Sequence, residues 1–218
     1  MEQNKVVIIV YNKIRMTMNL GTVLAYFLQA LPIACVVGMV FIIARILFFK
    51  AKNRKIIFVE ETIKTLFACY ITGLLSLVVL PVNFWLKVYD GIFFGWWGEL
   101  GSFFSLGEFN LVPAIVKIMK GELVLGSWVK EMLVGNILMF VPFGFFLPFI
   151  TKKVSQKNIF LIAAVVPLVV EVFQLLLGRS FDVDDLICNF VGIIAGYFSA
   201  FALKSIKNRA KEENNYGT

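Results

Sequence analysis

The residues best placed to do chemistry lie in three short stretches late in the 218-residue chain. "NILMFVPFG" holds Asn136, "EVFQ" holds Glu171 and Gln174, and "RSFDVDDLICNFVG" holds Arg179, Asp182, Asp184, Asp185 and Asn189. With no histidine anywhere, the commonest general base and metal ligand is missing. Any chemistry must rest on carboxylates, amides, Arg, Lys or hydroxyls. Glu171, Asp182 and Asp185 are the candidate catalytic residues, since grouped carboxylates can act as acid and base or hold a divalent cation through oxygen. Asn136, Gln174, Arg179 and Asn189 are the candidate ligand-binding residues. No cofactor is indicated, and neither a metal nor its absence can be read from this set.

Each of these residues also has a structural reading. Asp182 and Asp185 stand at a helix start and fit a capping pair, with Asp184 complementing the helix macrodipole. Arg179 fits a partner for the aspartates or an interfacial anchor, and Asn136 and Asn189 fit interhelical hydrogen bonding. Glu171 is harder to treat this way, because a carboxylate within a membrane span costs several kcal/mol unless it is paired or protonated.

Composition explains why these polar groups stand out. Hydrophobic residues make up 60% of the chain and charged residues 16%. The mean hydropathy is +0.86. These values lie outside the range of a soluble domain. The net charge of +7 sits in short clusters between apolar stretches, which is the pattern of topogenic signals and excludes nucleic-acid binding as a function. Cys35, Cys69 and Cys188 lie within apolar runs without metal-ligand spacing, so they are packing residues.

Since about 20 apolar residues cross a bilayer as a helix, the sequence predicts an all-α membrane protein with about five transmembrane helices, at roughly 22–49, 62–82, 131–150, 159–177 and 185–203. The connections 50–64, 151–158 and 204–218 hold twelve Lys and Arg in 38 residues, against eight in 77 for 1–21, 83–130 and 178–185. The positive-inside rule then places the C-terminus in the cytoplasm and the N-terminus outside. The segment 1–21 reads as an interfacial lead-in.

The connection 83–130 carries Trp85, Trp96, Trp97 and Trp128, and reads as a long aromatic-rich segment at the outer interface. Within it, "GIFFGWWGELGSFFSLGEF" lacks a clean helical period and fits a re-entrant or folded lid as well as a helix. "LVPAIVKIMKGE" reads as a short amphipathic helix after Pro113, with Lys117 and Lys120 facing out. The organisation is thus an N-terminal part, 1–130, with two spans and the interfacial segment, a three-helix core, 131–203, and a basic tail, 204–218.

This topology puts the polar residues at one depth. Asn136 lies five residues inside the third span, roughly 7 Å at about 1.5 Å per residue, and Glu171, Gln174 and Asn189 fall near the same outer-leaflet level. Asp185, Asn189, Gly192 and Gly196, at i, i+4, i+7 and i+11, form one face suited to helix packing. An interhelical pocket opening outward, shared by the last three helices, is the expected arrangement.

"NILMFVPFG", "EVFQ" and "RSFDVDDLICNFVGIIAG", in that order over residues 131–203, resemble the VanZ-like family of bacterial membrane proteins. The resemblance implies a multi-pass protein of the bacterial cytoplasmic membrane, in a family whose founding member is linked to teicoplanin resistance. It carries a functional polar set onto Asn136, Glu171, Gln174, Arg179, Asp182, Asp185 and Asn189. The expected partners are membrane lipids together with a lipid-linked cell-wall precursor or lipoglycopeptide. The alternative is a membrane-embedded enzyme that modifies lipid head groups with Glu171 and Asp182/Asp185. Transport is weaker, because the chain shows no inverted repeat and its polar groups stop in one leaflet.

Overall fold

The computed structural model describes residues 23–100, 104–124, 126–151 and 153–216. The N-terminal lead-in, 1–21, lies outside them. Five helices are long and apolar enough to cross a membrane, over Phe27–Ala51, Phe58–Val78, Val129–Ile150, Ile159–Leu176 and Val183–Ile206. The protein is therefore a helical multi-pass membrane protein, as its apolar runs predict. Their outer faces carry large exposed apolar side chains such as Val40, Leu47, Leu138 and Leu161, the expected covering for helices solvated by lipid.

The first two long helices, α1 (Val23–Ala51) and α2 (Phe58–Val78), pack together as a hairpin. Arg45 pairs with Glu61 across them, and Glu61 also accepts from Lys64 Nζ at 2.8 Å, so this carboxylate is held between two cations. The second helix begins and ends about four residues earlier than the apolar run suggests. Its C-terminal limit follows from Pro81, which disfavours helical geometry in the residue before it.

After Pro81 the chain turns through Asn83 in the left-handed region (φ 60°) and forms α3 (Phe84–Phe94), which reaches only residues 91–94 of the stretch for which a helix and a folded lid both stood open. A 3₁₀ turn over Trp97–Leu100 follows. Residues 109–110 form a short strand, β1, and α4 (Ala114–Met119) starts after Pro113 as predicted. Lys120 is exposed, whereas Lys117 turns back to donate to Asn110 Oδ1 at 2.7 Å.

The remaining long helices are α5 (Ser127–Ile150), α6 (Ile159–Leu176) and α7 (Val183–Tyr216), with β2 (Phe181–Asp182) between the last two. The α5 and α7 helices make the most intimate contact in the molecule. A Cβ on Gly192 would lie 2.3 Å from Ile137 O, one on Gly196 would lie 1.9 Å from Val141 O, and one on Gly144 would lie 1.9 Å from Ile193 O. The Gly192-x-x-x-Gly196 spacing therefore lets the two backbones touch, as the predicted small-residue face requires. Phe140, Ile193, Tyr197 and, from α6, Ala163 and Val170 fill the core beside this contact.

Hydrogen bonds from neighbouring helices tie this core together. Tyr70 Oη donates to Met139 O at 2.6 Å, next to the Leu138 carbonyl that Pro142 leaves without its helical donor. At the other end of α5, Lys204 Nζ donates to Pro148 O at 2.7 Å.

Candidate functional site

The charged stretch after α6 is built from caps. Asp182 is the residue before α7, and its Oδ1 accepts the Asp184 N–H at 2.8 Å, which makes it the N-cap of the last helix. The Asp182 N–H in turn donates to Glu171 Oε2 at 2.8 Å. Glu171 thus reaches from α6 to bind the backbone of the N-cap residue, the task that a glutamate three residues into the helix performs in a capping box. The Asp184 carboxylate takes the Ala114 N–H with both oxygens, at 3.0 and 2.8 Å, and so caps α4 from a distant part of the chain. Asp185 accepts from the Asn136 amide, linking α7 to α5.

Two further members of the predicted set close the end of α2. Gln174 Nε2 donates to Val78 O at 2.6 Å, and Arg179 Nη1 donates to Leu77 O at 3.0 Å and Leu80 O at 3.3 Å. The last carbonyls of a helix have no partner within it, and a cation at that end also meets the negative pole of the macrodipole. Gln174 and Arg179 meet both needs.

A strap crosses above these caps. Ser105 bridges to Leu177, the Gly107 N–H donates to Leu175 O at 2.9 Å, and β1 pairs in parallel with β2 in the register Phe109↔Phe181 and Asn110↔Asp182. Asn110 Nδ2 donates to Asp182 Oδ2 at 2.7 Å, so the strap and the N-cap share a side-chain bond. A Cβ at Gly107 would lie 1.7 Å from Arg179 O, so only glycine lets the strap run this close.

Six of the predicted residues, Asn136, Glu171, Gln174, Arg179, Asp182 and Asp185, are joined by bonds or close electrostatic contact, with the Arg179 N–H donating to Gln174 O at 2.9 Å; Asn189 is buried one turn after Asp185, and the set does not line one chamber. Glu171, which is fully buried, also lies within electrostatic reach of Asp185, Asp182 and Arg179. Glu171 Oε1 and Asn189 Oδ1 are buried with no hydrogen-bond partner among the described residues. No group of three or more His, Cys, Asp or Glu among the described residues is arranged to hold a metal ion.

The open space lies to one side, in a cavity of about 340 Å³ bounded by α1, the turn from α2 into α3, α5 and Arg179. Of the predicted set only Asn136 and Arg179 line it. The chamber expected among the last three helices is thus displaced towards the first half of the chain. The reason is that Asp182, Asp184, Gln174 and Glu171 spend their polar atoms on capping, which closes the junction they surround.

Sequence reasoning missed four residues here. Gln29 is buried in α1, donates from Nε2 to Asn83 Oδ1 at 2.9 Å and receives the Tyr89 hydroxyl on its backbone oxygen at 2.8 Å. Burial raises the Tyr89 pKa, so its hydroxyl remains a donor. Asp90 is almost completely buried in α3. Trp85 lines the cavity, and its indole Nε1 is buried without an acceptor among the described residues. A lone Gln within an apolar span was the available signal for Gln29. Asn83 and Asp90 gave none, and the sequence marks Trp85 only as one of the interfacial tryptophans.

These features define a helical membrane protein whose last three spans meet in a polar junction clasped by a short parallel strap. The chain belongs to the VanZ/LLP1 family, whose model matches residues 67–204. The match begins within α2, upstream of residue 131, and so takes in α3, the strap and the cavity wall apart from Gln29, as well as the three motifs. No curated protein and no solved structure matches the chain.

Proposed function

We propose that this VanZ-like protein acts at the outer face of the bacterial cytoplasmic membrane as an accessory factor for resistance to teicoplanin-type lipidated glycopeptides, by taking up a lipidic or cell-wall-precursor ligand in the cavity beside Asn136 and Arg179. The observation that carries the reading is the cavity, which joins two motif residues to a largely apolar wall that includes Leu77, Leu80 and Met139. Drug-sized ligands occupy sites of this kind, apolar with a few placed polar groups. The distribution of Lys and Arg favours an outward-facing position for this end of the bundle, with the N-terminus outside and the C-terminus cytoplasmic. Teicoplanin carries a lipid tail and its target is a lipid-linked precursor, so both would meet the protein at that level.

The test is expression in a susceptible host. Tolerance should rise for teicoplanin and stay near its starting value for vancomycin, which lacks the tail; equal shifts for both drugs would refute the reading.

A second reading, an enzyme that modifies lipid head groups, is favoured by Glu171 Oε1, buried and without a partner among the described residues, because a carboxylate in that setting is a candidate proton donor or acceptor. Asp182 and Asp185 would complete the site. Mass spectrometry of membrane lipids with and without the protein decides between the two, since an unchanged lipid profile leaves only binding.

A further inference from the structure

At the end of the bundle away from the strap, α1 and α2 enclose a groove of about 380 Å³. Ile42, Ile46 and Phe49, at i, i+4 and i+7 on one face of α1, line it together with Ile56, Phe58 and Leu66. All of these except Phe49 are well exposed, so the groove opens on the side that lipid covers. The polar groups in its wall are already engaged. Arg45 and Glu61 hold each other by two hydrogen bonds, one of them at 2.7 Å. Thr62 and Thr65 return their hydroxyls to Phe58 O and Glu61 O of their own helix, at 2.9 and 2.8 Å. What is left for an occupant to touch is hydrocarbon, over roughly 10 Å from Phe49 to Ile42 at about 1.5 Å per residue.

The mouth of the groove has the opposite character. Phe49 and Ile56 flank the short connection that carries Lys50, Lys52, Arg54 and Lys55, all exposed. Arg54 is drawn back against the groove, since its N–H donates to Phe49 O at 3.0 Å, and Lys55 directly precedes Ile56. No ion pair engages any of these four cations among the described residues. From Arg45 to Lys64, six cations stand against the two carboxylates of Glu60 and Glu61, an excess of four positive charges. Long basic side chains lay their stems on apolar surface and keep their charge in water, which sets these charges at the level of the lipid phosphates.

We propose that the groove holds one acyl chain of an anionic phospholipid from the surrounding leaflet, with the head group against Arg54 and Lys55. The wall selects hydrocarbon, and the unpaired charge at the mouth selects a head group of net negative charge over a zwitterionic one. The site is distinct from the cavity beside Asn136 and Arg179, so it stands or falls independently of the proposed function.

Native mass spectrometry of the full-length protein tests this, with dioleoylphosphatidylglycerol and dioleoylphosphatidylethanolamine titrated separately into the detergent-solubilised protein. The two lipids share their chains and differ in net charge. Phosphatidylglycerol should bind with an apparent affinity about tenfold higher, the order expected of one or two basic side chains beside a singly negative head group. Arg54 and Lys55 are exposed, so Arg54→Gln/Lys55→Gln should fold as the parent does and bring the two lipids to similar affinity. Thr62 is an exposed part of the wall, and Thr62→Trp should fill the groove and weaken phosphatidylglycerol about tenfold with every charge in place. Lys153→Gln/Lys157→Gln removes two exposed cations from the connection between α5 and α6, and should leave the preference intact. Equal affinity for both lipids in the unaltered protein, or a preference that survives Arg54→Gln/Lys55→Gln, would overturn the proposal. Unchanged binding in a folded Thr62→Trp would remove the groove from it, and an equal loss in Lys153→Gln/Lys157→Gln would reduce it to the general attraction of a basic surface.

Discussion

At the scale of single residues, the carboxylates of the junction divide by what their oxygens already do. Asp184 has both oxygens committed to the first amide of α4, and Asp182 has one on its own helix and one on Asn110. Glu171 has one oxygen on the Asp182 amide and one that meets nothing among the described residues. Substitutions at these positions should therefore separate. Glu171→Gln keeps an acceptor for the Asp182 N–H and nearly the same volume, so it should insert and fold as the parent does. Glu171→Leu leaves that amide unpaired and should lower stability by about 1–3 kcal/mol. Thermal unfolding in detergent measures the difference, and drug tolerance of the correctly inserted Glu171→Gln protein reports on the carboxyl group itself. Loss of tolerance there is the expected result; retained tolerance would make Glu171 a structural residue. Asp184→Ala should cost about 1 kcal/mol as a lost cap, with the effect seen as faster proteolysis of the segment 104–124 while the five spans stay protected.

At the scale of elements, α5 and α7 are held by glycines that bring the two backbones into contact. Gly196→Leu must force them apart, because its Cβ alone would sit 1.9 Å from Val141 O. Overpacking of a core commonly costs about 1–3 kcal/mol, and a backbone clash belongs at the upper end. Gly135 has open space around it, so Gly135→Ala serves as the control and should leave the thermal midpoint close to that of the parent.

This face was legible in the sequence because a small-residue spacing at helical period has one common use in a membrane. The five spans were legible for the same kind of reason, since length and hydropathy alone define them. The α3 helix was not, because glycines at 91, 95 and 98 hid its period; only the first of these lies inside the helix, where Trp97 packs on it. The caps were half legible. Aspartates before a helix announce an N-cap, and Asp182 is one, but Asp184 caps a helix 70 residues away and Arg179 caps one about 100 residues away. No local rule finds a partner at that separation.

At the scale of the whole molecule, polar and apolar surfaces are sorted along the bundle. One end carries the short basic connection between α1 and α2, where Lys50, Lys52, Arg54 and Lys55 are exposed. The other carries the strap and α4, where Phe104, Leu106, Met119 and Val124 are each more than three-quarters exposed. A soluble surface does not display large side chains of this type so openly, whereas a surface resting in the head-group region gains by burying them. The two ends should therefore differ in chemical accessibility. In a background lacking Cys35, Cys69 and Cys188, a cysteine at Lys55 should react with a membrane-impermeant maleimide only after the cytoplasmic side is exposed. A cysteine at Glu122, beside the apolar strap, should react in intact cells, and one at Leu106 should react slowly from either side because the bilayer interface covers it. Reversed labelling of Lys55 and Glu122 would place the cavity on the cytoplasmic side, away from any cell-wall precursor outside, and the proposed function would fall with the orientation. Rapid labelling of Leu106 from outside would leave the orientation standing and lift the strap clear of the membrane.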